Sequence, residues 1–223
     1  MDTIKLSPAN LAVEANHRVA NTLSLLSGLV RMQAKSAARA PQSFTNAEVR
    51  LMLDGIAARI STLGQLHRLL AQMPTDGAVT INSHLRDIGN NLVATLSSKE
   101  RPVTIEYLGR ECLVLARHVQ PVSLILCEIL TNAMKYSHPA GVAVKIQLHC
   151  EASHDGALMV IVSDDGVGLP EGFDPGKDGG LGFQIMRALT GELNATLDVS
   201  SDGLGATFRL TVPQALVANA RTA

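Results

Sequence analysis

Ile161-Val162-Ser163-Asp164-Asp165-Gly166-Val167-Gly168 is the stretch on which the reading of the C-terminal half turns. An apolar, β-branched run of the kind that fills a buried strand passes directly into carboxylates and two closely spaced glycines. Glycine adopts backbone conformations that side chains forbid and lets a ligand approach the main chain. One reading makes Asp164 the acceptor for an exocyclic amine such as that of adenine, with Gly166 and Gly168 leaving room for the ring. The other is a hairpin turn closed by Asp-Gly.

Working outward, residues 119–136 have the period of a helix, on which Glu128, Asn132 and Lys135 stand at i, i+4 and i+7 and so share one face. By itself this is also the pattern of a solvated stripe on an amphipathic helix. Downstream, the Gly/Pro-rich spacer 169–178 suits a mobile lid. It leads into Gly179-Gly180-Leu181-Gly182, which opens a helix predicted over 181–190. Free amides at a helix start beside glycines form an anion cradle; a flexible loop before an ordinary helix has the same look. Gly205-Ala206-Thr207-Phe208 then puts a glycine and a hydroxyl at the entry to the last strand. Strands are expected over 103–107, 142–150, 157–163, 196–200 and 206–212, with a short segment at 79–81 and a helix at 83–97, giving an α+β layer of one sheet covered by helices.

The N-terminal third differs. Val19, Leu23, Leu26 and Val30 recur every three or four residues within 11–38, and Ile56, Ile60, Leu63, Leu66 and Leu70 continue the period after the loop at Pro41 until Met73-Pro74 ends it. Two amphipathic helices cannot bury both apolar faces alone, which argues for a homodimeric four-helix bundle. At 223 residues, 46% hydrophobic, with 17% charged and a net charge of -1, the composition is that of an ordinary globule with no bulk attraction for nucleic acid or acidic membranes. No apolar run is long enough to span a bilayer, and the start MDTIKLSPAN has no signal-peptide pattern. Cys112, Cys127 and Cys150 lack metal-ligand spacing and are expected to be buried small hydrophobes, which fits a cytoplasmic protein.

Each box is weak alone, but their order and spacing are not. ExxxNxxK, DxGxG, GLG and GxTF resemble the N, G1, G2 and G3 boxes of the GHKL ATPase superfamily, over roughly 85–213. The resemblance implies a left-handed (Bergerat) α/β sandwich that binds ATP with Mg²⁺. It implies that Asn132 helps hold the metal and Asp164 reads adenine. Lys135 would lie near the phosphates, Gly180, Leu181 and Gly182 would flank the lid, and Gly166, Gly168 and Thr207 would complete the nucleotide site. Glu128 matches the acidic residue of the N box, which here would polarise the phosphoacceptor or support Mg²⁺.

Glu14-Ala15-Asn16-His17-Arg18-Val19-Ala20-Asn21-Thr22-Leu23 is similar to the phosphoacceptor helix of sensor histidine kinases of the HisKA_2 type, and RISTLGQLHRLL to that family's second helix. His17 is then the implied acceptor, since a neutral imidazole on an exposed helix is nucleophilic near neutral pH. Glu14, one turn earlier, is the candidate general base, and Asn21 holds the place where related kinases position a water. The family usually has Lys where Ala20 stands, and with no Trp in the chain the WxE element of the sister HWE family is absent. The expected organisation is a dimerisation and phosphotransfer hairpin over 10–75, an ATP-binding domain over 79–214 and a tail over 215–223. The expected activity is autophosphorylation of His17 from MgATP and transfer to an aspartate on a response-regulator receiver domain. About ten residues precede the first helix, so input is expected from a separate sensor protein. The alternatives are an ATP-independent histidine phosphotransfer protein of the same architecture, and a GHKL serine kinase or ATPase.

Overall fold

The computed structural model describes residues 77–215 apart from 100, 140, 154 and 202, together with separate positions between 27 and 64. Of the latter, all but Phe44 and Thr45 are helical, as the period predicts for both segments. His17, Glu14 and Asn21 lie outside the described residues, as does any pairing of the helices into a bundle.

From residue 77 onward the elements run β1 (Ala78–Thr80), α1 (Ile81–Leu96), β2 (Val103–Gly109), β3 (Leu113–Leu115), α2 (Ala116–Tyr136), β4 (Val144–Ala152), β5 (Leu158–Asp164), α3 (Leu181–Glu192), β6 (Thr196–Ser201) and β7 (Ala206–Val212). A five-stranded sheet has the order β2-β4-β5-β7-β6, and β1 with β3 forms a separate two-stranded ribbon. Only β2 and β4 run parallel in the large sheet; the other three pairings are antiparallel. Period-two burial explains the layering. Val144, Ile146, Leu148 and Cys150 of β4 and Leu158, Val160 and Val162 of β5 face the helices, while Lys145 and Gln147 face outward. Val122, Ile125, Leu126, Ile129 and Leu130 of α2 are at most 2% exposed, and each such side chain contributes roughly 1.5–3 kcal/mol.

Several boundaries differ from the sequence reading. Helix α2 starts at Ala116, ahead of Pro121; the proline removes one amide from the ladder near the start of the helix, where buried neighbours hold the turn. Strand β3 was not expected, because three residues carry too little period to read. The Asp-Gly hairpin is excluded: β5 ends at Asp164 and pairs with β4 and β7, and α3 intervenes before the next strand. The three cysteines are free and buried, as expected. Among the described residues, no helix is long and apolar enough to cross a membrane.

Candidate nucleotide-binding cleft

Between the C-terminal half of α2, the end of β5 and the start of α3 lies a cleft of about 590 Å³. Asn132, Lys135, Asp164, Gly168, Gly180 and Gly182 all line it, so residues up to fifty positions apart in sequence share one cavity. The cleft exists because of topology. β5 delivers its last residue, Asp164, beside β7, and α3 packs across α2 so that its first turn opens over the polar face of that helix.

Asp164 is fixed by its own turn. Its Oδ1 accepts from Gly166 N at 2.9 Å and from Ala206 N at 3.4 Å, which orients the carboxylate and leaves Oδ2 as an acceptor for a ligand. Gly205 has φ +134°, and a Cβ there would run into the Asp164 carbonyl; here glycine is a steric requirement. Gly166 does not line the cleft but lies beneath it, where a Cβ would come within 2.5 Å of Ser137 Cα.

The Glu128 carboxylate is only 2% exposed, so a solvated stripe is not what this helix face presents. A Cβ at Gly182 would stand 2.9 Å from Glu128 Oε2 and 3.5 Å from Asn132 Nδ2. The start of α3 therefore sits directly on the Glu128–Asn132 pair. Gly180 caps α3 with no side-chain bond to the first turn and no acidic residue within it, so the positive end of the helix dipole opens toward the cleft, with the Glu128 carboxylate of α2 beneath it.

The spacer 169–178 is tied to α3. Arg187 Nη1 donates to Pro175 O at 2.8 Å and Asp178 O at 2.9 Å, and the Phe173 ring lies 5.0 Å from that of Phe183. Phe183 in turn lies 6.1 Å from Phe208, giving the cleft an apolar wall built from three of the chain's four phenylalanines. Phe208 stands in the GxTF element, but none of these rings was assigned a role from the sequence. The available signal was their position: each stands in the spacer or next to a glycine box in a chain that is only 3% aromatic.

Thr207 needs a correction. Its Oγ1 pairs with Ser163 Oγ at 2.9 Å, and it is not among the lining residues. Strand alternation turns Ala206 and Phe208 toward the cleft and Thr207 away from it. Counting along the motif finds a hydroxyl at the strand entry; only the pleat shows that it faces the other way.

At the rim, His138 Nε2 lies 3.1 Å from Asp165 Oδ1, which also accepts from Lys145 N at 2.9 Å. Burial presses the Asp165 carboxyl upward, but the Lys145 amide and the His138 ring together outweigh it, and its pKa lies below the usual carboxylate value. Arg101 donates to the carbonyls of Met134, Lys135 and His138 at 3.0–3.4 Å and so caps the end of α2.

The residues fit a magnesium nucleotide. The Asp164 carboxylate, the Asn132 amide and the Lys135 amine line the same cavity as the glycines that open α3, a set of polar groups suited to an exocyclic amine and to phosphate oxygens. No cluster of three or more His, Cys, Asp or Glu occurs among the described residues.

Comparison with known proteins agrees with this geometry. The family described as histidine kinase-, DNA gyrase B- and HSP90-like ATPase matches residues 118–216, and the family described as histidine kinase matches residues 14–96. The sensor histidine kinase PdtaS of Mycobacterium tuberculosis is 29% identical over 204 residues, covering 89% of this chain and 39% of that protein. Blue-light-activated histidine kinase 2 of Erythrobacter litoralis is 26% identical over 226 residues, covering 94% of this chain and 60% of that protein. The chain thus spans less than two thirds of the length of these relatives. Among solved structures, the Erythrobacter litoralis EL346 blue-light-activated histidine kinase shares the fold with a TM-score of 0.71 at 23% identity, over 96% of this chain and 62% of that one. Its isolated histidine kinase domain gives 0.65 at 22% identity, over 84% and 96%.

Proposed function

From the premise that this chain belongs to the histidine kinase family, we propose that it is an ATP-dependent protein-histidine kinase that phosphorylates its own His17. The phosphoryl group then passes to an aspartate on a response-regulator receiver domain. The observation that carries this reading is the convergence of Asn132, Lys135, Asp164 and the uncapped start of α3 on one cleft.

In this reading Asp164 Oδ2 accepts the adenine amine, the Phe183–Phe208 wall packs on the ring, and the amides of Leu181 and Gly182 meet the phosphate chain. Asn132 would hold Mg²⁺, whose contribution when bound is to neutralise charge on the phosphates. Lys135 adds a cation at the same end, so rate enhancement is mainly positioning and electrostatics. The His17 imidazole nitrogen attacks the γ-phosphorus, forming an N–P bond as the bond to the β-phosphate oxygen breaks and ADP leaves. Glu14 accepts the ring proton, Glu128 supports the metal or polarises the acceptor, and Asn21 orients a water for later dephosphorylation. Residues 10–75 form the dimerisation and phosphotransfer bundle of a cytoplasmic homodimer, 79–214 the catalytic domain and 215–223 a tail.

Incubation with γ-labelled ATP tests this. Acid-labile label that disappears in His17→Ala and persists in His67→Ala, which removes the histidine of RISTLGQLHRLL, is expected. Acid-stable label would point to a serine kinase, and no label at all would favour an ATP-independent phosphotransfer protein.

A further inference from the structure

The spacer beside the cleft is not a slack connection. Residues 174–178 close on themselves: Gly176 N donates to Asp174 Oδ1 at 2.8 Å, Asp178 N to Asp174 O at 2.7 Å and Asp174 N to Asp178 Oδ2 at 2.9 Å. Lys177 Nζ lies 2.8 Å from Asp174 Oδ2 on the same turn. Gly172 and Gly179 stand on either side of it with φ +74° and +88°, a region that side chains rarely adopt. A preformed turn is therefore carried between two points at which glycine permits large changes of backbone angle.

Two residues of α3 hold that turn down. Phe183 and Arg187 are four apart and so share one face of the helix. The Phe183 ring lies 5.0 Å from that of Phe173, and Arg187 Nη1 reaches across to Pro175 O at 2.8 Å and Asp178 O at 2.9 Å. Hydrogen bonds from a charged donor are the strong ones, and here both fall on the backbone of the closed turn, twelve and nine positions back along the chain. Phe173 lines the cleft and Arg187 does not. The arginine can therefore act on the cavity only through the turn it grips.

Resting on the nucleotide reading above, we propose that Arg187 is a positioning residue, a latch that holds the 173–178 turn on α3 and thereby governs how fast nucleotide leaves the cleft. The latched turn keeps Phe173 in the apolar wall. Release of nucleotide requires both carbonyl bonds to break, so Arg187 controls residence time and leaves recognition to the residues that line the cavity.

Stopped-flow release of a fluorescent ATP analogue from the full chain, chased with excess MgATP, tests this together with amide hydrogen exchange over 169–178. Arg187→Ala should raise the dissociation rate about tenfold with the association rate nearly unchanged, and should speed exchange in that segment. Arg187→Met keeps the apolar stem without the donors and should behave as Arg187→Ala does; Arg187→Lys, with a single ammonium in place of the fork, should fall between them and the wild type. The nucleotide-free melting temperature should hardly move in any of the three. Unchanged release in both Arg187→Ala and Arg187→Met would overturn the proposal. So would faster release accompanied by a lower melting temperature and unaltered exchange over 169–178, because that marks a role in the packing of α3. Wild-type protein that binds neither the analogue nor MgATP would sink the nucleotide reading and this proposal with it; binding whose release ignores the substitutions would sink only this one.

Discussion

The rim and the floor of the cleft are built on opposite principles. Around the rim a chain of polar groups is matched: His138 with Asp165, Asp165 with the Lys145 amide, Arg101 with three carbonyls, and Val167 N with Ser137 O at 2.8 Å. On the floor, a buried glutamate is packed beneath a glycine, and Asn132 and Asp164 turn polar groups into the cavity. Matched groups hold the backbone around the cleft and lining groups face a ligand, so the rim gives rigidity and the floor gives affinity. Substitutions at the floor should therefore damage binding and turnover, and substitutions at the rim should damage stability.

The largest effect is expected from Asn132→Ala. Autophosphorylation should fall on the order of 100-fold while the melting temperature hardly moves, as measured by initial rates of labelling and a thermal scan. If the scan collapses as well, the floor is structural and the contrast fails. Gly182→Ala comes next. The new Cβ must find room 2.9 Å from Glu128 Oε2, so overpacking should cost about 1–3 kcal/mol in urea denaturation and weaken nucleotide binding together. Arg101→Ala removes the α2 cap and should cost about 1–2 kcal/mol of stability, with MgATP affinity by titration almost unchanged.

The smallest effect is one of pH. The folded Asp165 pKa is depressed, so its contribution is fully present above the ordinary carboxylate value of about 3.9 and is lost as pH falls through the lower folded value. Its side chain is 42% exposed, and solvent screening holds the contribution to well under about 1 kcal/mol. A wild-type and His138→Ala pair followed by denaturation from pH 6 to pH 3 should converge at the acid end. Divergence there would mean that the pair acts through something other than charge.

Much of this was legible in the sequence, for physical reasons. The strand 158–164, the helix carrying Glu128, Asn132 and Lys135, and the glycines at 166, 168, 180 and 182 announce themselves because period and glycine are local signals. What stayed hidden depends on which way a side chain points or what it meets. That Thr207 turns toward Ser163 was not legible, because the face of a strand residue is set by register with β5 and β6, not by its place in a motif. Glu128 is buried although the i, i+4, i+7 spacing reads equally as solvated, since only the packing of α3 decides between them.

The central claim is that this cleft grips a magnesium nucleotide through the Asp164 carboxylate. Titrating MgATP into wild-type protein and Asp164→Asn by calorimetry addresses it most directly. Saturable binding to the wild type, one nucleotide per chain, and its loss in a variant that still melts as a folded protein is the predicted result. Equal binding by the two proteins, or no binding by either, would contradict it.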